Sequence, residues 1–161
     1  MNGEWRRRLG RYGPLLVWMA FITFASTGEF SAANTSRILR PLLLWLFPHL
    51  VAAQIDEIHF LIRKAAHFTE YAIFALLAAR ALATSSRQVL RRGWFILSLL
   101  LVAAYALLDE YHQSFVATRT ASVKDSLIDV AGGLFALLVY ALWRHKKSKV
   151  QSPKSRVKTA A

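Results

Sequence analysis

The chain has 161 residues, with 21 Lys and Arg against 9 Asp and Glu, and its formal net charge is +12. Apolar residues make up 55% of it, which excludes a disordered basic tail and is atypical of a nucleic-acid-binding domain. It contains no cysteine, which excludes disulfides and thiolate metal sites. A basic soluble domain with a large core and a small membrane protein remain.

Four apolar segments follow one another along the chain, separated by charged connectors. The first contains PLLVWMAFITFAS, and the second is apolar apart from His67, Thr69 and Glu70. The third and fourth, GWFILSLLLVAAYALL and SLIDVAGGLFALLVYALW, show neither strand alternation nor the polar stripe of a surface helix. A bilayer needs about 20 residues of helix. We therefore predict an all-α integral membrane bundle of four transmembrane helices, at about 13–28, 62–83, 92–112 and 125–144.

Two further segments complete the predicted organisation. In the first outer loop, PLLLWLF is too short to span and is framed by Pro41 and Pro48, so we expect a short interfacial helix there. Residues 1–147 form the membrane domain, and residues 148–161 form a basic, disordered cytoplasmic tail. A cleaved signal peptide is the alternative interpretation of the first segment.

The distribution of basic residues predicts the orientation of the bundle. Of the 21 Lys and Arg, 15 lie in the amino terminus, in the connector after the second helix and in the carboxyl tail, against 6 on the opposite side. Cytoplasmic loops retain basic residues. We expect a multi-pass protein of the bacterial inner membrane with both termini in the cytoplasm. Membrane lipid is the expected partner, and nucleic acid is not.

Polar side chains occur near the ends of three predicted helices. In the second helix, Arg63, His67 and Glu70 are spaced to share one face, and Tyr71 on that face is interpreted as an interface aromatic. The other candidates lie at the end of the third helix and the start of the fourth. They are Asp109, Glu110, His112, Gln113, Arg119, Asp125 and Asp129. In the four-span topology all of these positions fall at the outer side of the membrane.

The deepest of these carboxylates most need an explanation. A charge in the hydrocarbon costs about 2.5–3.5 kcal/mol on insertion scales, and such residues usually face the bundle interior or a watery cavity. The set as a whole favours a functional pocket at the outer leaflet. The alternative is a polar clamp that fixes helix register, in which Arg63, His67, Arg119 and Lys124 neutralise the carboxylates.

Three ordered motifs carry a resemblance to a known family. Residues 63–71 read RKAAHFTEY, and residues 109–115 read DEYHQSF. Arg119, Asp125, Asp129 and Gly132 follow with the spacing R-x5-D-x3-D-x2-G. Together these motifs resemble those of VanZ-like integral membrane proteins. The resemblance implies a four-helix membrane protein linked to antibiotic resistance, since the family's namesake is associated with low-level resistance to the glycopeptide teicoplanin. It implies no particular reaction.

The sequence leaves three functions open. In the first, the pocket binds or modifies a lipid-linked or cell-wall precursor. Histidine paired with a carboxylate supplies general acid and base groups near neutral pH. The candidate catalytic residues are His67, Glu70, Asp109 and His112. The candidate substrate-binding residues are Arg63, Glu110, Gln113, Arg119, Asp125 and Asp129. Within this set, Asp125 and Asp129 are candidates to orient a water or to hold a hard cation such as Mg²⁺.

The other two functions belong to different classes. Proton- or ion-coupled transport through the histidine and carboxylate set requires a homo-oligomer, because four helices make a thin pathway. A non-catalytic membrane module that modulates a partner is the third. The sequence leaves open whether the protein is an enzyme and which cofactor or metal it uses.

Overall fold

The computed structural model describes residues 3–116 and 122–156, apart from the side chains of Glu29, Val123 and residues 149–156. Over these residues the chain forms six α-helices, one 3₁₀ turn at Gly28–Phe30 and no strand. The helices are α1 (Gly3–Ala25), α2 (Ala32–Leu46), α3 (Ala52–Ala83), α4 (Gln88–Arg92), α5 (Trp94–Gln113) and α6 (Val123–Arg156). The all-α prediction is confirmed for the described residues.

Helix α3 is the central element of the bundle. It contacts α1, α2, α5 and α6, and its contact with α6 is the most extensive in the molecule. Its 32 residues make a helix about 48 Å long, which exceeds the roughly 30 Å of a bilayer core. Tyr71 and Phe74 are fully buried at its middle, where they meet Val102 of α5 and Leu137 of α6 in the hydrophobic core.

Small residues line the helix contacts, whereas large apolar residues face outward. Ala75, Ala78 and Ala79 of α3 are fully buried, as is Ser98 of α5. Outward-facing large residues include Leu16, Val17, Ile96, Leu100, Leu107, Phe135, Val139 and Leu142, each more than half exposed. Membrane helices pack through small residues, and soluble proteins rarely expose apolar surface on this scale.

Two helices are long and apolar enough to cross a membrane, by length and composition. They are Trp94–Gln113 in α5 and Lys124–Ser148 in α6, with 28% and 33% of the apolar stretch buried. Helices that are mostly exposed yet this apolar are typical of a membrane protein rather than of a soluble core. No other described helix meets the same criteria. In α3, polar His67, Glu70 and Arg80 interrupt the apolar stretch.

Two glycines bring α6 against both of its neighbours. A Cβ on Gly132 would overlap the carbonyl oxygen of Phe68 in α3 and lie 2.9 Å from its carbonyl carbon. A Cβ on Gly133 would lie 2.6 Å from Cγ1 of Val102 in α5. The absence of side chains at these positions therefore sets the spacing of the three helices.

The first outer loop departs from the predicted short helix. Helix α2 begins after Ser31, whose hydroxyl accepts a hydrogen bond from the Asn34 backbone N–H at 3.5 Å, so Pro41 lies inside a 15-residue helix and does not start it. The proline removes the hydrogen bond to the Arg37 carbonyl, and Arg37 is exposed, so solvent can satisfy that group. Helix α6 likewise continues to Arg156, past residue 148, where we expected the tail to begin.

Aromatic and basic side chains meet at the end of the bundle where α5 begins. The guanidinium of Arg144 lies 5.2 Å from the ring centre of Trp94 and 5.7 Å from that of Tyr140. The ammonium of Lys147 lies 5.2 Å from the ring of Trp143. Such a combination is typical of a membrane–water interface.

Candidate functional site

Three polar side chains from three different helices meet at the other end of the bundle. We call His67 of α3, Asp109 of α5 and Asp129 of α6 the three-helix cluster. Nδ1 of His67 lies 3.5 Å from Oδ1 of Asp129, and each residue offers one nitrogen or oxygen atom within 4.8 Å of the others. Asp129 is 0% exposed and Asp109 is 5% exposed. The cluster therefore places two carboxylates in the protein interior, with the half-buried imidazole of His67 beside them.

The two buried aspartates differ in how they are hydrogen-bonded. Asp109 Oδ2 accepts a hydrogen bond of 2.9 Å from Nε2 of Gln113, one turn further along α5. Neither carboxylate oxygen of Asp129 has a hydrogen-bond partner among the described residues. A buried carboxylate without compensating bonds is costly, so Asp129 needs a partner from outside this set of residues.

A cavity of about 160 Å³ opens beside the cluster, between α1 and α3. Its polar wall contains Arg63, His67 and Glu70, all from α3, which share one face as their spacing predicts. Its other wall comes from α1, the 3₁₀ turn and α2. The lining residues there are Phe21, Ala25, Ser26, Phe30 and Thr35. A hydrogen bond of 2.9 Å from Nε1 of Trp18 to the Glu70 carbonyl holds α1 against this level of α3.

Arg63 and Lys64 are adjacent in sequence but have different partners. Lys64 Nζ forms an ion pair of 2.5 Å with Oδ1 of Asp125 at the start of α6. Nη1 of Arg63 donates to the Phe30 carbonyl at 3.4 Å, and Arg63 forms no salt bridge within the described ranges. Asp125 attracts the guanidinium of Arg63 at a distance longer than that of a salt bridge, and Arg63 lines the cavity.

A family model described as VanZ/LLP1 matches residues 12–144. The chain belongs to the VanZ/LLP1 family. The match runs from α1 into α6 and includes every site residue predicted from the sequence, so the expected family assignment is confirmed. Among curated proteins and among solved structures, no protein matches the chain.

The VanZ/LLP1 motifs do not all converge on the three-helix cluster. His67, Asp109, Gln113 and Asp129 come together, and Arg63 and Glu70 lie at the adjoining cavity. His112, in contrast, is exposed, and no hydrogen bond or ion pair joins it to Asp109 among the described residues. Asp109 and His112 lie three positions apart in α5, about 60° apart around the helix axis, and the helix is turned so that Asp109 is buried while His112 is exposed.

Two more of the predicted residues, Asp125 and Glu110, have partners close to this region. Asp125 pairs with Lys64 and is not one of the side chains whose donor atoms lie within 4.8 Å of one another around Asp129. Glu110 is buried and accepts a hydrogen bond of 2.7 Å from the Ser122 backbone N–H, which joins the end of α5 to the segment before α6. Arg119 lies outside the described residues.

Three residues at or near this VanZ/LLP1 site have roles that the sequence did not predict. Tyr71 is fully buried in the core and is not an interface aromatic, and its hydroxyl has no hydrogen-bond partner in the described part of the chain. Lys64 could have been found from its place beside Arg63 in the first motif. Trp18 carries no signal of this kind, because its role depends on how α1 docks against α3.

Proposed function

We propose that this VanZ/LLP1 protein spans the bacterial inner membrane four times, with both termini in the cytoplasm, and binds an anionic lipid-linked precursor of the cell envelope at its outer end. The spans are α1, α3, α5 and α6 within a membrane domain of residues 1–147. Basic residues number 15 on the proposed cytoplasmic side against 6 on the other, and the aromatic and basic cluster around Arg144 lies at the proposed inner interface.

The cavity beside the three-helix cluster carries the proposal. It combines an arginine that forms no salt bridge among the described residues with an apolar wall that includes Phe21 and Phe30. A guanidinium binds phosphate or carboxylate groups through paired hydrogen bonds. Because the apolar wall suits a hydrocarbon chain, an amphiphile with an anionic headgroup matches both surfaces of the cavity.

Modification of the bound precursor is the second part of the proposal. His67 and Glu70 line the same cavity as Arg63, so a headgroup held by the arginine would lie near two groups able to exchange protons. His112 is the weaker candidate for this role, since its side chain is exposed and outside the cavity lining.

Native mass spectrometry of the full chain in mild detergent tests the binding step. We expect the protein to retain a polyprenyl phosphate in preference to phosphatidylcholine, and Arg63→Gln to reduce that retention about tenfold or more, because the charged hydrogen bonds contribute roughly 1.5–3 kcal/mol. Arg37→Gln is the matched control, since Arg37 is exposed on α2 and outside the cavity. Equal retention by the wild type and the Arg63 variant would contradict the proposal.

A further inference from the structure

The charge balance of the three-helix cluster is incomplete within the described residues. Asp109 and Asp129 bring two carboxylates into the interior, and neither forms an ion pair with a Lys or Arg among those residues. Gln113 is neutral, and among the described residues His67 is the ionisable side chain at ion-pair distance, with Nδ1 3.5 Å from Oδ1 of Asp129. Buried charges are normally paired or bound to a metal ion.

We propose that His67, Asp109 and Asp129 bind one divalent cation of the Zn²⁺ or Mn²⁺ type. This inference rests on the proposed function, and it assigns the three-helix cluster to metal binding beside the headgroup cavity. A dication would neutralise the two carboxylates and provide the partner that the Asp129 oxygens lack among the described residues.

The distances require little rearrangement. Ligand atoms bonded to Zn²⁺ at about 2.1 Å lie roughly 3.0–3.4 Å from one another, depending on coordination geometry. The candidate atoms lie within 4.8 Å of one another, so side-chain rotations that close the group by about 1.5 Å suffice. The backbone spacing of α3, α5 and α6 is already fixed by the contacts of Gly132 and Gly133.

The donor set narrows the identity of the cation. Mg²⁺ and Ca²⁺ prefer oxygen ligands throughout, whereas an imidazole nitrogen suits Zn²⁺ and its neighbours. The sequence also suggested a Mg²⁺ site at Asp125 and Asp129, but Asp125 forms an ion pair with Lys64 instead. Three protein ligands leave a coordination position open, which is the pattern of catalytic zinc sites, and the ligand His67 lines the same cavity as Arg63.

Hydrogen bonding around the cluster supports the same assignment. The bond from Gln113 to Oδ2 of Asp109 fixes the orientation of that carboxylate and leaves its other lone pairs for a cation. Partners of this kind orient the ligands of most protein metal sites.

The test is metal binding by the full, untagged chain in detergent after chelator treatment. Zn²⁺ alone and Mn²⁺ alone are added, free metal is removed by gel filtration, and bound metal is measured by elemental mass spectrometry. We expect about one ion per chain for at least one of the two metals, because the chain offers one group of three ligands for a single ion. His67→Ala and Asp129→Asn are expected to weaken binding at least tenfold, since even a partner that only orients a ligand contributes about that much.

Two comparisons keep the test decisive. Asp56→Asn removes an exposed carboxylate from the same helix as His67 and is expected to retain the metal. Helix content by circular dichroism and elution as a single species show that each variant folds, and Asp109→Asn replaces Asp129→Asn if the latter does not. Absence of bound metal in the wild type, as expected if the two aspartates instead share a proton, would overturn the inference. Unchanged binding in the folded cluster variants would overturn it too.

Failure of the metal site and failure of the lipid site give different results. If no metal binds but Arg63-dependent retention of polyprenyl phosphate persists, only the metal site is refuted. If the metal binds but Arg63→Gln retains the lipid as the wild type does, the metal site stands and the proposed function is refuted.

Discussion

Two aspartates one turn apart on α6 have opposite environments. Asp125 has a 30% exposed side chain and pairs with Lys64, so its charge is satisfied by a neighbour and by solvent. Asp129 is fully buried, and Nδ1 of His67 lies 3.5 Å from its Oδ1. Burial raises the cost of leaving a carboxylate unpaired. The sequence motif gives both residues the same chemistry, but only Asp129 occupies a position that calls for a bound cation.

Replacing Gln113 tests how the metal site is organised at the level of single residues. In Gln113→Leu, Asp109 loses the hydrogen bond that orients it, so we predict that the affinity for Zn²⁺ falls about 10–100-fold. A competition titration with a fluorescent zinc chelator measures the affinity. Ser114→Ala, at an exposed position next in the chain, is the control and should bind as the wild type does. An unchanged affinity in Gln113→Leu would show that the hydrogen bond does not orient a ligand.

At the scale of whole helices, the close approach of α3 and α6 determines the distance between the ligands. Phe68, which Gly132 touches, is the neighbour of His67, and Gly132 itself lies one turn from Asp129. A methyl group at position 132 must therefore push the two helices apart, because the obstacle is backbone and cannot rotate away.

Gly132→Ala is predicted to destabilise the bundle by about 1–3 kcal/mol, the usual cost of overpacking. It should also lower the metal affinity, since His67 and Asp129 move apart. Unfolding in mixed micelles followed by circular dichroism measures the first effect. Gly10→Ala is the matched control, because a Cβ there meets nothing within 4 Å. We expect the control to be neutral or stabilising by up to about 1 kcal/mol, owing to the higher helix propensity of alanine. Equal stability of the two variants would contradict the packing argument.

At the scale of the whole molecule, the four-span topology can be tested by labelling single introduced cysteines. Because the protein has no cysteine, single cysteines can be introduced without removing any. We predict that Ser114→Cys is labelled in intact cells by a membrane-impermeant maleimide, and that Ser86→Cys is labelled only after the cells are opened. Both serines are exposed, and they lie at opposite ends of α5. Labelling of both sites from outside, or of neither, would refute the topology.

The proposed link to glycopeptides also belongs to the whole molecule. We predict that expression of the wild-type chain in a susceptible bacterium raises the minimal inhibitory concentration of teicoplanin, and that His67→Ala and Glu70→Gln abolish the increase at equal membrane abundance. Both side chains line the cavity, so their loss removes its acid and base groups. Asp56→Asn serves as the control. Full protection by the two cavity variants would separate the cavity from resistance.

The sequence predicts the most apolar helices best. The third predicted helix, 92–112, agrees with Trp94–Gln113 within two residues, because an uninterrupted apolar stretch leaves little choice of boundary. Helices α1 and α3 begin about ten residues earlier than predicted. The added residues carry charges, such as Glu4 and Arg6 in α1 and Asp56 and Glu57 in α3, and hydropathy does not detect polar helical turns of this kind.

The membership of the site is only partly predictable. The motifs identify the residue types and one end of the bundle, but the rotation of α5 decides that Asp109 is buried and His112 is exposed. That rotation depends on packing with α3 and α6, which a single sequence does not encode locally. For the same reason the pairing of Lys64 with Asp125 emerges only from the assembled helices.

The position of the cavity opening determines how high an affinity for the amphiphile is needed. The cavity lies between α1 and α3 among exposed apolar side chains such as Phe21, so an amphiphile would reach it by lateral diffusion within the leaflet. Confinement to two dimensions makes the local concentration of such a molecule far higher than its average over the cell volume. A weak intrinsic affinity then suffices for occupancy, and the quantity to vary in binding experiments is the mole fraction of the lipid in the membrane.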